Sequence, residues 1–132
     1  MTWNDAPVGA MRLARGQIHI WRASLSQPPE AQARLAGLLS DEEAGRAARF
    51  AYPGLRARSQ AARGILRDIL GRYLRCPPAT LVLTTRPGGK PRLAASPLAA
   101  VEFNVSHSHD VALFGLVLGA DIGVDVERVR AG

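Results

Sequence analysis

Two carboxylates stand one residue apart in Gly123-Val124-Asp125-Val126-Glu127, shortly after the polar stretch Phe103-Asn104-Val105-Ser106-His107-Ser108. On a strand, side chains at i and i+2 share a face. A last strand over 121–127 is therefore expected to project Asp125 and Glu127 together, with Ile122, Val124 and Val126 turned the other way into a core. Two oxygen donors on a rigid strand can hold a hard divalent ion. Mg2+ commonly takes one or two carboxylates and completes its shell with phosphate oxygens and water. The same spacing also describes a solvated strand face flanked by Arg128 and Arg130, because polar residues alternate on any half-exposed strand.

Ser106 to Asp110 reads as a polar turn. A serine hydroxyl, an imidazole N–H and the turn's backbone amides are all donors, which suits Ser106 and His107 to phosphate. Two further chemistries fit less well. His107 and His109, with His19, have too few partners for a zinc site, and no cysteine stands near. A nucleophilic serine lacks the Gly-x-Ser-x-Gly elbow, and neighbouring Ser and His cannot easily form the required hydrogen bond. Gly88-Gly89-Lys90-Pro91 is not a P-loop, since no Ser or Thr follows the lysine. It reads as a hairpin turn whose lysine can lie against a nucleotide. Arg46, Arg56, Arg58 and Arg63 surround the Phe50–Gly54 turn. Singly they are a solvated helix face; together they can bind an isolated phosphate.

The elements that must position these groups follow from periodicity and turn chemistry. Residues 17–21 alternate and predict a strand. Pro28-Pro29-Glu30 opens a short helix through Leu39. Ser40 with Glu43 three residues on is a capping box, starting a helix that ends by Phe50. A longer helix over 55–74 carries Ile65, Leu66, Ile69, Leu70, Tyr73 and Leu74 at helical spacing. Its Gly64 and Gly71 either weaken it or permit close packing. Pro77-Pro78 ends it. Strands are expected over 81–84, 101–105, 111–118 and 121–127, the last three as an antiparallel meander.

The 132 residues suit one domain with a single core, with residues 1–15 expected to be flexible. Lys and Arg total 17 against 11 acidic residues, and the net charge is +6. All the basic residues except Lys90 are arginine, the planar fork suited to phosphate oxygens. Such a surface attracts nucleic acid, phosphorylated cofactors or acidic proteins; a GC-rich coding sequence accounts for the same arginine excess. No helix-turn-helix, zinc-finger or aromatic RNA-binding pattern supports nucleic acid as the partner. The lone Cys76 excludes an intrachain disulfide and fits a reducing compartment. With no apolar leader and no membrane-length apolar run, a cytoplasmic protein that does not bind membrane is expected.

Taken in order, Leu39-Ser40-Asp41-Glu42-Glu43, Ala48-Arg49-Phe50, Arg58, Gly89-Lys90-Pro91, the Asn104-x-Ser-His-Ser motif and Gly123-x-Asp-x-Glu resemble Sfp-type 4'-phosphopantetheinyl transferases from about Ile18 to Arg130. The resemblance implies an α+β half-domain, a small antiparallel sheet packed against helices. It also implies a Mg2+-dependent activity (holo-[carrier protein] synthase), which moves phosphopantetheine from coenzyme A to a serine of an acyl or peptidyl carrier protein. Asp125 and Glu127 would then ligate Mg2+, and Ser106 and His107 would contact coenzyme A phosphates. Gly89, Lys90 and Pro91 would line the adenine and phosphate side, while Arg46, Arg58 and Ser59 would hold the 3'-phosphate. The family's second half carries Trp-x-x-Lys-Glu-Ala, whose Glu and Lys complete the catalytic set. This sequence has tryptophan only at Trp3 and Trp21, followed by neither. The catalytic residues are therefore unassigned, and the chain resembles an N-terminal half, expected to be inactive without its C-terminal half and to self-associate as a homodimer. The competing expectation is a non-catalytic interaction module that kept the fold.

Overall fold

The elements run β1 (Ile18–Ser24), α1 (Pro29–Ala36), α2 (Asp41–Ala48), α3 (Pro53–Leu74), β2 (Leu83–Thr85), β3 (Pro91–Leu93), β4 (Val101–Ser108) and β5 (Val111–Leu118). A 3-10 turn at Pro78–Thr80 follows α3. The structure is a computed structural model that describes residues 1–3, 11–94, 101–120 and 122–129. The arrangement is α+β, as expected.

Local chemistry accounts for the helices. Pro29 and Pro53 stand in the first turns of α1 and α3, where a missing N–H costs nothing. Both halves of the capping box form at α2: the Glu43 amide donates to Ser40 Oγ at 3.2 Å, and the Ser40 amide donates to Glu43 Oε1 at 2.9 Å. Helix α3 stops where Arg75 takes the left-handed conformation, φ 55°. Leu81 and Val82 do not join the strand expected there, which begins at Leu83. The Leu81 carbonyl is taken by the buried Arg67 at 2.7 Å instead of by a ladder partner.

Helices α1 and α3 meet at Gly64. A Cβ there would lie 2.7 Å from both Leu35 Cβ and the Leu35 carbonyl oxygen. Gly64 is thus a contact requirement, and Leu35, fully buried, fills the space it leaves. Gly64→Ala is expected to destabilise the chain by about 1–3 kcal/mol despite alanine's better helix propensity. Urea denaturation checks this as a lowered midpoint at unchanged slope.

The main sheet has the order β1-β5-β4, antiparallel throughout. This corrects the expected meander. Strand β1 occupies the free edge of β5 from Ile18↔Val117 to Ser24↔Val111. Residues 122–129 therefore find no backbone edge on β5 and form no strand; Asp121 lies outside the described residues. The polar turn is corrected too. Ser106, His107 and Ser108 pair with Leu113, Ala112 and Val111, so β4 continues and the turn shrinks to His109-Asp110. His109 takes φ 54° there, a conformation that costs a non-glycine residue about 1 kcal/mol.

One face of this sheet packs on α3. Trp21, Phe103, Phe114 and Leu116 meet Ile65, Ile69 and Leu70 in one core cluster. The Trp21 indole donates to Tyr73 Oη at 2.7 Å. Within residues 1–15 the described contacts to the rest of the chain include those of Thr2, Trp3 and Met11. Thr2 bridges Arg22 in parallel, Trp3 is buried with its indole N–H on Asp68 at 2.8 Å, and the Met11 amide donates to the Arg72 carbonyl. Residues 4–10 lie outside the described residues. Strands β2 and β3 form a separate hairpin. Among the described residues no helix is long and apolar enough to cross a membrane.

Candidate functional site

Strand β4 sorts the polar motif onto two faces. Its alternation turns Val101, Phe103, Val105 and His107 towards the helices, and Glu102, Asn104, Ser106 and Ser108 to the opposite side. Ser106 and His107 are neighbours in sequence that the fold separates.

On the helical side, His107 borders a cavity of about 370 Å³ walled by α2, α3 and β4. Arg46, Arg58, Ser59 and Pro91 line it as well, so five of the expected binding residues converge there. Three arginines (Arg46, Arg58 and Arg63) and one carboxylate residue, Glu43, line it, and apolar side chains such as Leu39, Phe50 and Leu55 are part of the wall. Such a cavity can seat a flat apolar ring with an attached anion. Arg58 is oriented by Nε donating to the Gly54 carbonyl at 3.2 Å, with Nη1 4.0 Å from Asp110. Arg46 pairs with Glu42 at 2.7 Å on the surface. Burial by itself would raise the Glu43 carboxyl. The hydrogen bond from Arg67, the Ser40 amide and the charges of Arg67 and Arg63 outweigh it and hold the group below its ordinary range.

Gly89 and Lys90 lie in the β2–β3 hairpin. Gly88 and Gly89 take φ 96° and 89°, and the turn closes through the Gly89 amide on the Arg86 carbonyl. Glycine is required there by backbone conformation. Lys90 borders a second, smaller cavity of about 210 Å³ with Asn104 and Ile122; Pro91 borders both cavities.

On the far face of β4 runs the segment 122–127. Its exposure alternates as a strand's would: Ile122, Val124 and Val126 are partly covered, and Asp125 and Glu127 are exposed. Asp125 Oδ1 accepts from Ser106 Oγ at 3.2 Å. Among the described residues no three His, Cys, Asp or Glu side chains gather as a metal cluster. His19 is engaged elsewhere, its Nδ1 2.7 Å from Tyr73 Oη. Two exposed carboxylates are a hard oxygen set that fits Mg2+, an ion that shares its shell with phosphate and water.

Arg63 and Asn104 received no individual role from the sequence. Arg63 is found by its place in the cavity wall. Asn104 is found by extending the period-2 reading through Ser108, which puts it beside Ser106 rather than beside His107.

Comparison with known proteins places the chain in a family. Residues 20–116 match the family model for the N-terminal part of 4'-phosphopantetheinyl transferase. The chain is 40% identical over 133 residues to the 4'-phosphopantetheinyl transferase HetI of Nostoc sp. strain PCC 7120, covering 98% of this chain and 54% of HetI. It is 38% identical over 113 residues to a Synechocystis protein provisionally named a 4'-phosphopantetheinyl transferase, covering 84% and 44% respectively. The chain thus spans about half the length of these curated relatives. With the match running from β1 into β5, the chain belongs to the 4'-phosphopantetheinyl transferase N-terminal family.

Proposed function

We propose that this chain binds coenzyme A and a divalent ion as one half of an enzyme that transfers 4'-phosphopantetheine to a serine of an acyl or peptidyl carrier protein. One observation carries the reading: β4 has a basic, part-apolar cavity on one face and an exposed carboxylate pair beyond its other face. The cavity seats the adenine end, with Arg58, Arg46 and Ser59 towards its 3'-phosphate and His107 at the rim. Lys90 lies along the path past Pro91 to the carboxylates. Asp125 and Glu127 would hold Mg2+, which when bound neutralises pyrophosphate charge during phosphoryl transfer. The arginines and His107 orient the same phosphates, and positioning is most of what this chemistry requires. We assign turnover to combination with the family's second half, and to this chain the binding. The net charge of +6 favours encounter with an acidic carrier in the cytoplasm.

Calorimetry with coenzyme A tests the proposal. Binding is expected to tighten at least tenfold when Mg2+ replaces EDTA. Arg58→Gln is expected to weaken coenzyme A by about 10–100-fold, as loss of a charge-assisted phosphate contact does, and to leave dephospho-coenzyme A nearly unaffected. Equal heats with and without Mg2+ count against the metal reading. A variant that weakens both ligands alike counts against the 3'-phosphate assignment.

A further inference from the structure

We infer that Asn104 and Ser106 are positioning residues for the acidic segment: their side chains stand in for a missing strand edge and fix Asp125 from both sides. The inference rests on the metal-binding reading proposed above and assigns a different task to half of the polar motif.

Among the described residues segment 122–127 has no ladder partner, yet its backbone is not left to water. The Val124 amide donates to Asn104 Oδ1 at 3.0 Å. The Val126 amide donates to Ser106 Oγ at 3.1 Å. Asn104 and Ser106 are two residues apart on one face of β4, and so are the amides they accept. Two side-chain oxygens thus reproduce the spacing at which a neighbouring strand would present carbonyls. Asp125 sits between the two pinned amides. Ser106 then donates its single hydroxyl hydrogen to Asp125 Oδ1. A hydroxyl has one donor, so in this arrangement Ser106 has none left for a phosphate. Its work is on the carboxylate, and His107 alone of the pair faces the cavity.

The seat beneath the segment is Gly115 of β5. A Cβ at that position would lie 2.7 Å from Val124 Cγ1 and 2.9 Å from Ile122 Cδ1. The two apolar side chains therefore rest on the sheet only because residue 115 has none. Pins from β4 and a gap in β5 set the height and the register of the segment together. Ligating carboxylates held by such hydrogen bonds bind metal about 10–100-fold better than when the support is removed.

The test uses the chain with coenzyme A and Mn2+ as a paramagnetic probe, alongside amide hydrogen exchange. Asn104→Ala and Ser106→Ala are expected to keep the wild-type melting profile to within a few degrees. Exchange should speed up at least tenfold at the Val124 and Val126 amides respectively, and the Mn2+ affinity should fall tenfold or more. Ser106→Thr keeps the hydroxyl and is expected to restore both readouts. Gly115→Ala is expected to weaken Mn2+ with both pins intact. Unchanged exchange at both amides overturns the pinning. Faster exchange with undiminished Mn2+ affinity overturns its link to the metal. A wild-type chain that takes up no Mn2+ beside coenzyme A overturns the metal reading instead, and the exchange result still decides whether the pins exist.

Discussion

Arg67→Ala is expected to remove about 3–5 kcal/mol of stability, as breaking a buried charge pair from one side does. Arg67 is 2% exposed in the middle of α3. Its Nε donates to Glu43 Oε1 at 2.7 Å, and its Nη1 donates to the carbonyls of Leu81 at 2.7 Å and Pro78 at 3.1 Å. One planar group thus joins the capping box of α2 to the turn that leaves α3. Removal strands two carbonyls and leaves Glu43, itself nearly buried, with Arg63 at 3.3 Å as its remaining counter-charge. Lysine does not substitute, because a point charge on a flexible stem cannot serve acceptors in two directions at once. Guanidinium denaturation measures the loss. The pH dependence has a definite sign. Glu43 ionises below its ordinary value near 4.5 in the folded chain. Its contribution is therefore fully present above that value and is lost as pH falls through the lower, folded one. Arg67→Ala should flatten this acid limb of the wild-type stability curve.

Asp125→Ala is the second large expectation. It should weaken the Mg2+-dependent part of coenzyme A binding about a hundredfold and leave binding in EDTA unchanged. The site offers two carboxylates, and affinity for a hard cation follows ligand charge and rigidity. Asp125 is the better held of the two, flanked by both pinned amides and hydrogen-bonded to Ser106. Asp125→Asn separates charge from placement. It keeps an acceptor for Ser106, so the Val126 amide should stay protected while metal binding falls as far as in the alanine variant. Titration of Mn2+ by electron paramagnetic resonance, with and without coenzyme A, reads both. An asparagine variant that binds metal normally would mean that the charge at 125 is not what holds the ion.

Much of the fold was legible because period and punctuation agree. The capping box at Ser40, the proline-started α1 and α3 and the apolar run of β5 each carry their own signal, and tertiary contacts only reinforce them. The misreadings share another cause. The polar run Ser106–Asp110 looks like a turn because hydroxyls and imidazoles are common in turns. It stays a strand because β5 offers a continuous ladder as far as Val111. The segment 122–127 looks like a strand and shows a strand's alternating exposure, but which edge is free depends on where β1, far earlier in the chain, docks. Local sequence holds no information on that choice. The acidic pair and the arginine cluster were legible as types. Their separation by β4 was not, because it follows from the length of that strand.

That separation limits the shape of whatever binds. The cavity of Arg58 and His107 and the ledge of Asp125 lie on opposite sides of β4, the outermost strand of its sheet, with Pro91 at the margin of both hollows. One molecule serving both must fold back around that rim. A stiff, straight polyanion such as duplex DNA cannot make the bend over so short a span, so conformation rather than charge alone screens the ligands of this arginine-rich surface.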